Sequence, residues 1–127
     1  MAVTLALIED EEGVQTYFKS VVARMGYELV VAEDGPSGLK MLSETPVDII
    51  LTDLMMPGEP NGMEFLRRLR EDFPDIPVIV VSGHPTKERI EECKELGVVD
   101  FLSKPFEMTF FGSIVTRVLS KREKPEN

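Results

Sequence analysis

Short apolar, often β-branched runs alternate along this chain with longer stretches in which apolar positions recur every three or four residues. The short runs fall at residues 5–8, 28–32, 47–52, 77–81 and 99–102, and their length and composition predict strands. The longer stretches span 13–25, 36–43, 62–72, 86–96 and 107–121, where the spacing predicts amphipathic helices. Met25-Gly26, Phe73-Pro74 and Leu96-Gly97 each close a helical pattern with a residue that does not readily continue it. Strict alternation of strand and helix predicts an α/β domain built on a parallel sheet covered on both faces.

Polar residues punctuate this pattern at corresponding places. Glu9 and Asp10 follow the first strand, Asp53 the third, Ser82 the fourth and Lys104 the fifth. Open parallel sheets bind ligands beyond the carboxyl ends of their strands, so all five belong to one rim. Three carboxylates held together repel one another unless a cation relieves them. Mg²⁺ suits the task, because it takes oxygen ligands, keeps several waters and shares phosphate with one or two carboxylates. A carboxylate can attack phosphorus once charge on the phosphoryl oxygens is neutralised. Lys104 can provide a cation and the Ser82 hydroxyl a hydrogen bond, which suggests an aspartyl phosphate at Asp53. Acidic residues after strands also serve simply to favour helix N-termini, and Glu11 and Glu12 are read that way. Four matched strand ends carry Glu9 and Asp10 beyond that reading.

Composition narrows the classes. The 127 residues, 43% of them apolar, fit one compact domain over 1–120, followed by a polar tail at 121–127 that is a frayed end or the start of a linker. A net charge of −9 disfavours direct contact with nucleic acid phosphates. Apolar runs fall far short of the roughly 20 residues of a membrane span, and no leader pattern precedes the first strand. The lone Cys93 shares helical spacing with Ile90 and Leu96, as a small core residue would. It has no partner for an internal disulfide, and the chain reads as cytoplasmic.

Four motifs, in order and spacing, resemble the receiver domain of two-component response regulators, the family that includes the single-domain chemotaxis regulator. They are Leu-Ile-Glu-Asp-Glu-Glu at 7–12, Thr-Asp-Leu-Met-Met-Pro-Gly at 52–58, Val-Ile-Val-Val-Ser-Gly at 78–83 and Asp-Phe-Leu-Ser-Lys-Pro-Phe at 100–106. The resemblance implies a doubly wound, flavodoxin-like fold of five strands in the order 2-1-3-4-5. It implies phosphotransfer to Asp53 from a histidine kinase or phosphotransfer protein, with no enzymatic turnover beyond the domain's own phosphorylation and dephosphorylation. Asp10, Asp53 and the Met55 carbonyl would ligate Mg²⁺ directly, with Glu9 acting largely through water. Ser82 and Lys104 would hold the phosphoryl group, and Ser82 and Phe101 would form the switch. The Lys104-Pro105 bond is often cis in the family, an isomer that proline makes accessible.

This chain departs from the family pattern in several places. Glu9 stands where many members have Asp, Gly83 where Ala is usual, and Phe101 where Tyr is common. The loop at 56–62 carries an added Pro60. Met55 cannot orient water by hydrogen bonding, which predicts a long-lived phosphoryl group; His84 is read as an exposed loop residue. The output surface is expected over 86–120. There Phe111, Ile114, Val115 and Val118 are assigned to the core, leaving Met108 and Phe110 as candidates for a dimer or effector contact. The alternative is a pseudo-receiver that keeps the fold and signals without phosphate, although its natural sign would be loss of Asp53 or Lys104. A flavodoxin-like cofactor binder is disfavoured by the acidic run after the first strand, and an aspartyl phosphatase by Met55.

Overall fold

The computed structural model describes residues 2–54, 62–83 and 86–123. Five strands, β1 (Thr4–Ile8), β2 (Glu28–Ala32), β3 (Ile49–Thr52), β4 (Val78–Ser82) and β5 (Asp100–Ser103), form one sheet in the order β2-β1-β3-β4-β5. All four pairings are parallel. The connecting helices are α1 (Glu12–Arg24), α2 (Gly35–Glu44), α3 (Gly62–Asp72) and α4 (Lys87–Glu95), and α5 (Met108–Glu123) follows the last strand.

Side chains alternate across a strand, so each strand feeds two cores. Leu5, Leu7, Ile49, Leu51, Ile79 and Val81 pack with Phe18, Val21 and Val22 of α1 and with Phe111, Ile114 and Val115 of α5. Ala6, Ile8, Ile50, Val78 and Val80 pack on the other face with Leu42 of α2, Phe65, Leu66 and Leu69 of α3, and Cys93 of α4. Both faces are therefore covered, as the alternation predicts. Cys93 is buried, and its thiol is held above its ordinary pKa chiefly by that burial.

The strand boundaries differ from the sequence expectation by one or two residues, for visible reasons. Asp48 donates its amide to the Thr4 carbonyl at 2.7 Å, but its carboxylate, 2.8 Å away, takes the Thr4 amide. A side chain thus occupies the first rung, and β3 begins at Ile49 rather than at residue 47. Pro77 has no N–H for a ladder, and β4 begins at Val78. Caps are local: the Asp34 carboxylate accepts the Ser37 amide at 2.7 Å, and the Thr86 hydroxyl accepts the Arg89 amide at 3.1 Å.

One junction fixes α4 at the end remote from the rim. Gly97 has φ +89°, and Arg70 of α3 passes beside it to donate to the carbonyls of Leu96 at 3.0 Å and Ile76 at 3.2 Å. A Cβ at Gly97 would lie 3.1 Å from the Arg70 guanidinium as well as forcing an L-residue into the left-handed region. Gly97→Ala is expected to cost about 1–2 kcal/mol in urea denaturation; unchanged stability would show that the backbone relaxes freely there.

Candidate functional site

The site is built by strand register. Ile8 pairs with Ala32 on one side and Thr52 on the other, so Glu9 and Asp53 are the next residues along two neighbouring strands. Their backbones stay tethered past the strand ends, with Glu9 donating to the Ala32 carbonyl at 2.9 Å and Asp53 to the Ile8 carbonyl at 3.1 Å. Across the sheet Ser82 pairs with Ser103, and the Lys104 amide donates to the Ser82 carbonyl at 2.8 Å. Adjacent parallel strands lie about 4.8 Å apart, which is why residues distant in sequence meet on this rim.

Lys104 Nζ lies 2.8 Å from Asp53 Oδ2 and 2.9 Å from Glu9 Oε1. Glu11 Oε1 is farther off, at 3.8 Å. Glu9 and Asp53 are buried, whereas Asp10 is exposed, and ligand atoms of the three lie within 4.8 Å of one another. Burial pushes the Glu9 carboxyl above its usual range, against the downward pull of Lys104 and of the Glu11 amide. Burial also works against the Lys104 charge, but hydrogen bonds and Coulombic attraction from Asp53 and Glu9 outweigh it and hold the ammonium above the ordinary lysine value.

One ammonium is set among the carboxylates of Glu9, Asp53 and, farther off, Glu11, with Asp10 beside them, so negative charge exceeds positive among hard oxygen donors. That donor set fits Mg²⁺, whose preferences are for carboxylate oxygens and retained water. Glu9, Asp10 and Asp53 are the described residues able to hold it. Ser82, buried at the end of the strand between β3 and β5, presents its hydroxyl-bearing residue to the same rim. The Met55 carbonyl, the 56–61 part of the loop and His84 lie outside the described residues, as does the expectation about phosphoryl lifetime that rested on them.

The Lys104-Pro105 peptide bond is cis. The next residue, Phe106, packs on Tyr17, Phe18 and Phe111 with ring centroids 5.6, 5.3 and 5.9 Å away, and its carbonyl accepts the Tyr17 hydroxyl at 3.2 Å. These contacts hold the segment bearing Lys104 against α1. Phe101 is half-buried on β5. The assigned core residues of α5 are buried, while Met108 and Phe110 are exposed. Phe110, Phe101, Ser103, Pro105, Phe106 and Glu107 line an open cavity of about 580 Å³.

Two participants were not singled out from sequence. Glu11, assigned only to helix electrostatics, has its backbone amide on Glu9 Oε2 at 3.1 Å. Gln15 donates its side-chain amide to the Glu9 carbonyl at 2.6 Å. Their proximity to Glu9 along the chain was the available signal, but the orientation of a side chain back towards the strand end was not.

The sheet order and the polar rim define a receiver domain. The profile of the response regulator receiver domain matches residues 5–115, and the chain belongs to that family. Among curated relatives, the DNA-binding transcriptional regulator NtrC of Azospirillum brasilense is 28% identical over 98% of this chain, and the putative response regulator NtrX-like protein of Rickettsia bellii (strain RML369-C) is 30% identical over 82%. The matches cover 26% and 22% of those proteins, so the chain spans about a quarter of the length of these relatives. Among solved structures, a CheY-like receiver domain protein from Methanospirillum hungatei JF-1 superposes with TM-score 0.90 at 20% identity, covering 97% of this chain and 98% of that one. The signal receiver domain of a signal transduction histidine kinase from Syntrophus aciditrophicus reaches TM-score 0.86 at 28% identity, covering 99% and 96%. Among the described residues, no helix is long and apolar enough to cross a membrane.

Proposed function

We propose that this domain receives a phosphoryl group on Asp53 from the phosphohistidine of a histidine kinase or phosphotransfer protein, in a Mg²⁺-dependent reaction, and thereby switches an output surface over residues 86–120. The observation that carries the reading is Lys104 Nζ held 2.8 Å from the Asp53 carboxylate, beside two further acids. An Asp53 oxygen forms the new bond to phosphorus as the bond from phosphorus to the imidazole nitrogen breaks, and the imidazole leaves with a proton from solvent. Lys104 is already placed to neutralise a phosphoryl oxygen, and Ser82 supplies a hydroxyl to another. Asp10, Asp53 and the Met55 carbonyl would hold Mg²⁺, with Glu9 acting largely through water, and the ion would supply further neutralisation of phosphoryl charge.

The chemistry is confined to the domain's own phosphorylation and the later loss of that phosphate, so this domain acts as a switch rather than as a turnover enzyme, and we place it in the cytoplasm. A dianion at Asp53 draws Ser82 inward and favours a packing in which Phe101 turns towards the core, a population shift read out through α4, β5 and α5. The exposed Phe110, which lines a cavity together with Phe101, and the exposed Met108 offer apolar surface for a second copy or an effector.

Incubation with a small acyl phosphate donor tests the reading. The expected product is one phosphoryl adduct per chain in intact mass, formed only with Mg²⁺, labile to hydroxylamine and mapping to Asp53. Absence of any such adduct from folded protein would overturn it.

A further inference from the structure

The direction of the Asp10 side chain is the least supported feature of the rim. Its carboxylate is exposed, and no hydrogen bond or ion pair to another described residue holds it. What the fold fixes is therefore the direction of its Cα–Cβ bond, which is set by the backbone, and the peptide plane joining Glu9 to Asp10 is rigid. The amide preceding that plane, Glu9 N–H, is fixed on the Ala32 carbonyl at 2.9 Å. The carbonyl within the plane, Glu9 C=O, is fixed by the side chain of Gln15 at 2.6 Å.

We propose that Gln15 is a positioning residue for the acidic rim, its side-chain amide orienting the Glu9-Asp10 peptide so that Asp10 faces Asp53 in a geometry fit for a divalent cation. The inference rests on the Mg²⁺-binding reading of the site given above. Only the nitrogen of a Gln amide can donate to a carbonyl, so the sense of the contact is unambiguous. Gln15 itself is fixed by α1, its backbone amide donating to the Glu11 carbonyl at 3.0 Å, and the helix converts local rigidity into a defined reach. A neutral amide performs this task without placing a positive charge where it would compete with a bound cation. Supports of this indirect kind around metal ligands tune affinity through orientation rather than by adding a donor.

The test is calorimetric titration of the metal-free chain with Mg²⁺, for wild type, Gln15→Met and the exposed neighbour variant Thr16→Ala, with urea denaturation in chelator as a parallel readout. Methionine keeps the length and loses the donor. Gln15→Met is expected to weaken Mg²⁺ binding by about fivefold, the equivalent of one hydrogen bond, while Thr16→Ala leaves it unchanged. A Gln15→Met variant that loses stability in urea yet binds Mg²⁺ as wild type does would reduce Gln15 to a structural contact and overturn the inference alone. Wild type that binds no Mg²⁺ would overturn both the inference and the reading beneath it.

Discussion

Asp53→Asn is expected to take up no phosphoryl group while the fold stays intact. The carboxamide is nearly isosteric with the carboxylate, and Asp53 is buried with its amide on the Ile8 carbonyl at 3.1 Å, an interaction that does not depend on the side chain. What changes is chemistry: an amide delocalises the electrons that a carboxylate offers to phosphorus, and it carries no charge. Lys104 keeps Glu9 at 2.9 Å, so the half-buried cation is not stranded, and stability should move by no more than about 1 kcal/mol. The rim also loses one of its three carboxylates, so Mg²⁺ affinity should fall by about tenfold or more. Intact mass after exposure to a phosphodonor and Mg²⁺ decides the matter. An undiminished adduct on the variant would place the acceptor elsewhere.

Much of this site is legible in the chain because register and motif coincide. A residue directly after a buried strand in a parallel sheet has little freedom of position, which is why the sequence alone assigns Glu9, Asp53 and Lys104 to one rim. Likewise, periodicity separated Phe111, Ile114, Val115 and Val118 from Phe110, and the burial of α5 follows that division. Periodicity was less informative where one side chain replaces a backbone partner. Asp48 sits in an apolar run that reads as strand, yet its carboxylate substitutes for a rung of the ladder. The reach of Gln15 back to the Glu9 carbonyl is of the same kind, since it depends on a rotamer and not on a pattern. The division of labour within Glu9 was hidden too: one oxygen takes Lys104 and the other the Glu11 amide, an arrangement that the extra methylene of Glu over Asp makes reachable.

That division makes Lys104 the group whose loss should be felt most widely, in stability as well as in chemistry. Lys104→Met preserves an unbranched side chain but leaves the buried Glu9 and Asp53 without the ammonium that now lies within 2.9 Å of both. Removing one member of a buried ion pair typically costs about 3–5 kcal/mol. The Lys104 side chain is 17% exposed and water can partly replace it, so about 2–3 kcal/mol is expected at neutral pH in chelator. The pH dependence follows from Glu9, whose carboxyl is already raised by burial and loses in Lys104 the main influence opposing that rise. An acid whose folded pKa lies above its unfolded value binds more protons when folded, so stability falls as pH climbs from the ordinary carboxylate range through the raised value. The deficit relative to wild type should therefore narrow on acidification and reach its full size above the raised Glu9 pKa. Lys104 in the wild type adds the complementary behaviour: its raised pKa contributes stability below the ordinary lysine value, which is lost as pH rises through the folded one. Mg²⁺ should stabilise the variant more than wild type, because the acids then lack any other cation. Phosphotransfer should nevertheless drop by about a hundredfold or more, since the ammonium that neutralises a phosphoryl oxygen at Asp53 is gone. Urea denaturation from acid to neutral pH, with chelator and with Mg²⁺, separates these effects, and a variant as stable as wild type at neutral pH in chelator would show that Glu9 and Asp53 do not need Lys104 to remain buried.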